Sequence, residues 1–210
     1  MHLYFNLIQK FMKKIMNLKS LLLLILAGVF LMSCNEDEDD NTPEDVITYD
    51  GVSYAMKDGV IYDYGAATPY IVPTHYNYDF VIADASLVKK TESDGDTYWS
   101  IGDETTFGVY IELYSPGTSS FKTGTFEYLE WHDDVTQADF DGKYFFSDAE
   151  VILISNNTEI EYEATGGTVK VLGSGLEYTL DFDLVLNNGK TLKGNYSGLF
   201  KYEGERGSAK

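Results

Sequence analysis

Tyr178-Thr179-Leu180-Asp181-Phe182-Asp183-Leu184-Val185-Leu186 alternates large apolar side chains with Thr, Asp, Asp and Val. Successive side chains of a strand point to opposite faces, so a period of two marks a strand with one face in a core and the other in water. A slip of one residue would drive Asp181 and Asp183 into that core, which specifies the register tightly. Working outward, Gly173-Ser174-Gly175 precedes this strand and Asn187-Asn188-Gly189 follows it, both glycine-containing turn sequences. With residues 159–163, 168–172 and 191–202, and a break at Gly166-Gly167, the last third reads as a four-stranded meander.

The same grammar runs upstream to Val46. Ile47, Tyr49 and Val52, Tyr54 flank Asp50-Gly51, and Val60-Ile61-Tyr62 follows Asp58-Gly59. Asp-Gly supplies the positive φ angles of a two-residue hairpin, so an N-terminal meander is expected. Pro69 and Pro73 remove ladder donors, so residues 65–77 form a loop or an edge crossing. Residues 78–82 read as a strand, 84–89 as a single helical turn, and Tyr98-Trp99-Ser100-Ile101 as a strand after a polar turn. Phe107, Val109, Ile111 and Leu113 put one apolar face on the next strand. Residues 121–131 form another, ended by His132-Asp133-Asp134, and Val151-Ile152-Leu153-Ile154 is apolar on both faces. Ten or more strands with no strong helix give an all-β fold. An antiparallel β-sandwich is expected ahead of a lipocalin-like closed barrel, because the crossings at 65–77 and 133–141 are too long for an up-and-down barrel.

Residues 1–33 hold four of the fifteen basic residues and none of the 34 acidic ones, so the remainder carries eleven basic groups and a net charge of −23. Nucleic-acid binding rests on lysine and arginine neutralising phosphates, and this balance excludes it. The 177 residues from Cys34 onward suit one domain, able to bury a core without disulfides.

Ahead of that domain, Leu21 to Leu31 is an apolar run preceded by Lys13, Lys14 and Lys19. It is too short to span a bilayer comfortably and ends in acidic residues, which is the layout of a cleaved secretory signal. Met12-Lys13-Lys14-Ile15-Met16 reads as a more usual start for such a signal than Met1. Leu31-Met32-Ser33-Cys34 resembles the bacterial lipobox, which implies that Cys34 is lipidated and becomes the mature terminus. Cys34 is the only cysteine, so no disulfide accounts for it. The run Glu36-Asp37-Glu38-Asp39-Asp40 resembles the signal that sends Bacteroidota lipoproteins to the outer face of the outer membrane. Residues 167–182 and 194–198 resemble the C-terminal hairpins of Bacteroidota surface lipoproteins, which implies a β-sandwich and carries no activity with it. The expected organisation is a signal at 1–33, a lipidated acidic tether at 34–45 and a single all-β domain at 46–210. Its expected home is the outer membrane, lipid-anchored and facing the cell exterior.

Chemistry is sparsely marked. There is no Gly-x-Ser-x-Gly elbow, phosphate loop or nucleophilic cysteine, so the chain is read as no enzyme; a glycan-active carboxylate pair stays a minority reading. No cofactor is expected, calcium apart: Asp94-Gly95-Asp96 and Asp139-Phe140-Asp141-Gly142 set carboxylates two apart around a turn. The aromatic loops are the best site candidate. Trp131, His132, Asp133 and Asp134 stand at a strand end, with Trp99 and Tyr76 as further members. Rings beside carboxylates suit sugars, which offer apolar C–H faces and hydroxyl rims. The expected function is a binding module for glycans or other extracellular polymers, ahead of a structural or adhesive component with a protein partner.

Overall fold

A computed structural model of the chain describes residues 45–92, 95, 97–156 and 158–204. The signal, the tether as far as residue 44 with Cys34 in it, Asp94 and Asp96 lie outside the described residues, while Asp45 is held to the domain, accepting at its carboxylate from the Ser197 N–H at 2.6 Å. The described residues fall within one compact unit.

The described residues form thirteen strands and one helical turn: β1 Val46–Tyr49, β2 Val52–Ala55, β3 Asp58–Ala67, β4 His75–Ala83, β5 Val88–Thr91, β6 Thr97–Ser100, β7 Phe107–Pro116, β8 Gly124–Tyr128, the helical turn Gln137–Phe140, β9 Phe145–Ser155, β10 Thr158–Ser174, β11 Glu177–Leu186, β12 Thr191–Leu199 and β13 Lys201–Glu203. Eleven strands make one sheet in the order β13-β3-β4-β7-β9-β8-β10-β11-β12-β1-β2; β5 and β6 make a separate hairpin. All pairings are antiparallel except β13 with β3 and β8 with β9.

The sheet folds over at the β9–β10 hairpin. β10 pairs with β9 over residues 158–163, then leaves it and pairs with β8 from Thr168, so β8 fills the wedge between the two. The two halves then face each other across one core. Phe80 of β4 meets Tyr178 of β11 edge-on at 5.7 Å, and Phe107 of β7 stacks on Tyr54 of β2 at 3.9 Å. Ile111, Leu113, Phe126, Leu180 and Phe146 lie fully buried between the layers. Among the described residues no ladder joins the edge strands β2 and β13, so the architecture is sandwich-like and not a closed barrel.

Tyr178 to Leu186 behaves as its pattern requires: Tyr178, Leu180, Phe182, Leu184 and Leu186 are buried, and Lys193 of β12 pairs with Asp183 on the wet face at 3.1 Å. Four local expectations are corrected. Residues 159–163 and 168–172 are one strand, since Gly166-Gly167 makes a bulge that bends β10 from one neighbour to the next. Asp58-Gly59 is no turn but the start of β3, and the chain crosses there from one layer to the other. A side chain at 59 would meet the Phe200 ring 2.6 Å away, so the glycine makes room for the core. Residues 84–89 form no helical turn, because Val88 enters β5. The last strand breaks at Phe200, which is buried and sends β13 across to pair with β3.

Candidate functional site

The outer face of β4 is covered at both ends. At the Ala83 end, the β5–β6 hairpin packs Leu87, Trp99 and Ile101 over Val60 and Ala83. At the His75 end, the segment from Leu129 to Lys143 packs Val135, Phe140 and Leu129 over Phe145 and Tyr114. His75 is fully buried there, donating from Nε2 to the Lys143 carbonyl at 3.0 Å and accepting at Nδ1 from the Thr74 hydroxyl at 2.8 Å. Burial holds its pKa below the usual histidine value, so it serves as a neutral clamp.

That second covering segment carries the aromatic candidate. The helical turn Gln137–Phe140 is fixed by Asp139, whose carboxylate accepts from the backbone N–H and the hydroxyl of Thr136, both at 2.8 Å. These bonds hold its pKa below the carboxylate norm. Gln137 bonds Asp141 through Nε2 at 2.6 Å and accepts from the Ile71 N–H at 3.3 Å, which ties the proline loop to the turn. The calcium candidates Asp139 and Asp141 are thus engaged in capping, and no cluster of three metal-ligating side chains occurs among the described residues.

Phe140, fully buried, is the floor under two exposed rings. Trp131 lies 5.4 Å from it at 45°, Tyr70 stacks on it at 5.8 Å, and Trp131 and Tyr70 are 6.4 Å apart. Trp131 is 56% exposed and Tyr70 40%, with Ile71 exposed beside them. Alternation along 121–131 leaves the exposure of Trp131 open; β8 in fact stops at Tyr128, so the indole stands past the end of the strand. The same segment helps to wall a cleft of about 510 Å³, lined by Glu127, Tyr128, Glu130, His132, Lys143 and Tyr144 and not by Trp131 or Tyr70. A volume in this range accepts a small ligand or a few units of a polymer. Asp133 and Asp134 are exposed next to Trp131.

The other two members of the sequence-predicted set lie elsewhere. Trp99 is half-buried on the β5–β6 hairpin, accepts a hydrogen bond from the Tyr62 hydroxyl at its carbonyl, and has the Lys201 ammonium 4.9 Å and the Lys89 ammonium 5.5 Å from its ring centroid. It packs at the Ala83 end of β4, about 27 Å along the strand from the His75 end at 3.4 Å per residue. Tyr76 donates to Asp63 at 3.2 Å and packs edge-on against Tyr78.

Between the two covers runs a feature that the sequence does not announce. Asp79 of β4 faces Glu112 of β7, and Glu112 faces Asp148 of β9, in direct cross-strand register. Asn77 and Tyr110 donate to Asp79 at 3.3 and 3.0 Å, and Tyr114 donates to Glu112 at 2.7 Å. None of the ion pairs among the described residues reaches this row. Burial, with the Glu112 charge adding to it, raises the Asp79 pKa to about 7. Burial likewise raises Glu112, and raises Asp148 with the charge of Glu163 adding. Only the register brings these carboxyls together, and spacing along the chain gives no sign of it.

Comparison with protein-family models, with curated proteins and with solved structures finds no match for this chain.

Proposed function

We propose that this chain is a cell-surface binding lipoprotein whose all-β domain captures glycan chains on the Trp131–Tyr70 platform. One observation carries the reading: an indole that is 56% exposed is propped on a buried phenylalanine beside a second exposed ring. Exposing so large an apolar ring loses the favourable burial it would gain in a core, and a rigid ring face is what a sugar's C–H face stacks on. The reading is of binding rather than catalysis. The lipobox-like Leu31-Met32-Ser33-Cys34 and the acidic run after it support an anchor at Cys34 in the outer membrane with the domain outside the cell.

The binding claim is tested with Trp131→Ala, screened on a glycan array beside a thermal melt. The expected result is loss of the wild-type glycan signal with a change in Tm of no more than a few degrees. A large fall in Tm with the glycan signal retained assigns Trp131 to structure and removes the site. The anchor is tested separately: a clickable fatty acid fed to expressing cells should label the wild type and leave Cys34→Ala unlabelled, and equal labelling of both ends the anchor.

A specific observation favours a second reading, an adhesive component with a protein partner: Ile71 is 69% exposed on the same patch, and β2 is a four-residue edge strand with Val52 exposed.

A further inference from the structure

We infer that the ligand of this platform is a glycan whose successive sugars are inclined to one another, as in helical α-1,4 and β-1,3 chains, and not one that runs as a flat β-1,4 ribbon; the inference rests on the glycan-binding reading above. The two exposed rings, Trp131 and Tyr70, have centroids 6.4 Å apart and planes inclined at 52°. Rings this close face neighbouring sugars of a chain rather than every second one. A sugar stacks with its C–H face parallel to the ring beneath it. Two neighbouring sugars seated on both rings are therefore inclined to each other by about the same 52°.

The inclination is set by the fold. Phe140, fully buried, lies 5.8 Å from Tyr70 at 19° and 5.4 Å from Trp131 at 45°, so the tilt is fixed against a core ring that holds one neighbour nearly parallel and the other tipped. The rings stand on separate segments, and Gln137 ties these together, accepting from the Ile71 N–H at 3.3 Å while its amide donates to Asp141 at 2.6 Å. Pro69 and Pro73 restrict the backbone of the loop that carries Tyr70. Flattening the platform would pull Trp131 or Tyr70 off Phe140, so the ligand must match a shape held in advance. In a β-1,4 chain of glucose or mannose each unit is turned over on the last and the mean planes stay nearly parallel. Such a ribbon, stacked on Trp131, meets Tyr70 out of plane and gains one face contact. The linkages of α-1,4 and β-1,3 chains curve the backbone, so neighbouring units cover both faces at once.

The test is calorimetric titration of the full chain with hexaoses of equal length: maltohexaose and laminarihexaose as curved chains, cellohexaose and mannohexaose as ribbons. The better curved hexaose should bind about tenfold more tightly than either ribbon, the scale of one added stacking contact. Tyr70→Ala should weaken the curved chain about tenfold and leave the ribbons unchanged, while Tyr70→Phe, which keeps the ring, should bind as wild type does. The comparison on the wild-type chain decides the question even where Tyr70→Ala fails to fold. Ribbons that bind as tightly as the curved chains overturn the inference and leave the glycan reading standing. So does a Tyr70→Ala variant of unchanged melting that weakens both classes equally or neither. Glycan-array binding with no affinity for any of these hexaoses also overturns the inference alone. No binding of any glycan overturns both.

Discussion

Asp79 shows how much one residue's surroundings decide. Its carboxyl is ordinary in sequence, yet the fold buries it opposite Glu112 with two neutral donors and no cation. Its folded pKa near 7 lies above the ordinary 3.8, so the folded state binds the extra proton across that interval. The stability it contributes is therefore complete below about pH 3.8, falls as the pH rises toward 7, and is flat above. Asp79→Asn keeps the shape and removes the titration. The melting temperature of the variant should exceed that of wild type by about 5 °C or more at pH 8, with the gap shrinking toward pH 5, given about 1.4 kcal/mol per pK unit and 2–4 °C per kcal/mol. A gap that is the same at both pH values would mean that Asp79 is ionised throughout. Measuring the difference between the two proteins cancels His75, whose lowered pKa works with the opposite sign, stability being lost in acid. Trp131 is the complementary case. Its neighbours Asp133 and Asp134 mark a polar chain end in the sequence, but its support, Phe140, is nine residues away and reaches it only through the capped turn.

At the scale of elements, what was legible followed from local rules. Asp50-Gly51 makes its hairpin with both residues at positive φ, and the alternation in Tyr178 to Leu186 sets a register that the ladder keeps. What was not legible is where strands change neighbours. The Gly166-Gly167 pair looks like a turn and acts as a bulge, since bending β10 from β9 to β8 needs a break in the pleat and not a reversal. Gly194 plays a related part between β11 and β1: its φ is +135°, and a Cβ there would sit 2.1 Å from the Val46 carbonyl oxygen. Gly194→Ala should therefore cost about 2 to 4 kcal/mol, whereas Gly189→Ala, in a turn with nothing within 4 Å, should cost about 1 kcal/mol. Urea midpoints of the two variants check this, and equal costs would place the strain elsewhere.

For the whole molecule, period and turn chemistry made the all-β class and the large strand number readable, while the folding-over of one sheet into two layers was not. That depends on β8 wedging between β9 and β10 and on β13 returning to β3, contacts between segments about 20 and 140 residues apart. The candidate site was readable as a stretch, Trp131 to Asp134, but the sequence grouped Trp99 and Tyr76 with it because aromatic composition carries no position. The two tryptophans make the central claim directly measurable. In a Trp99→Phe protein the only indole is Trp131, and its fluorescence should be readily quenched by acrylamide in the free protein and protected once a glycan that the array shows to bind saturates the site. An indole already shielded without ligand, or one equally quenched at saturation, would contradict the account.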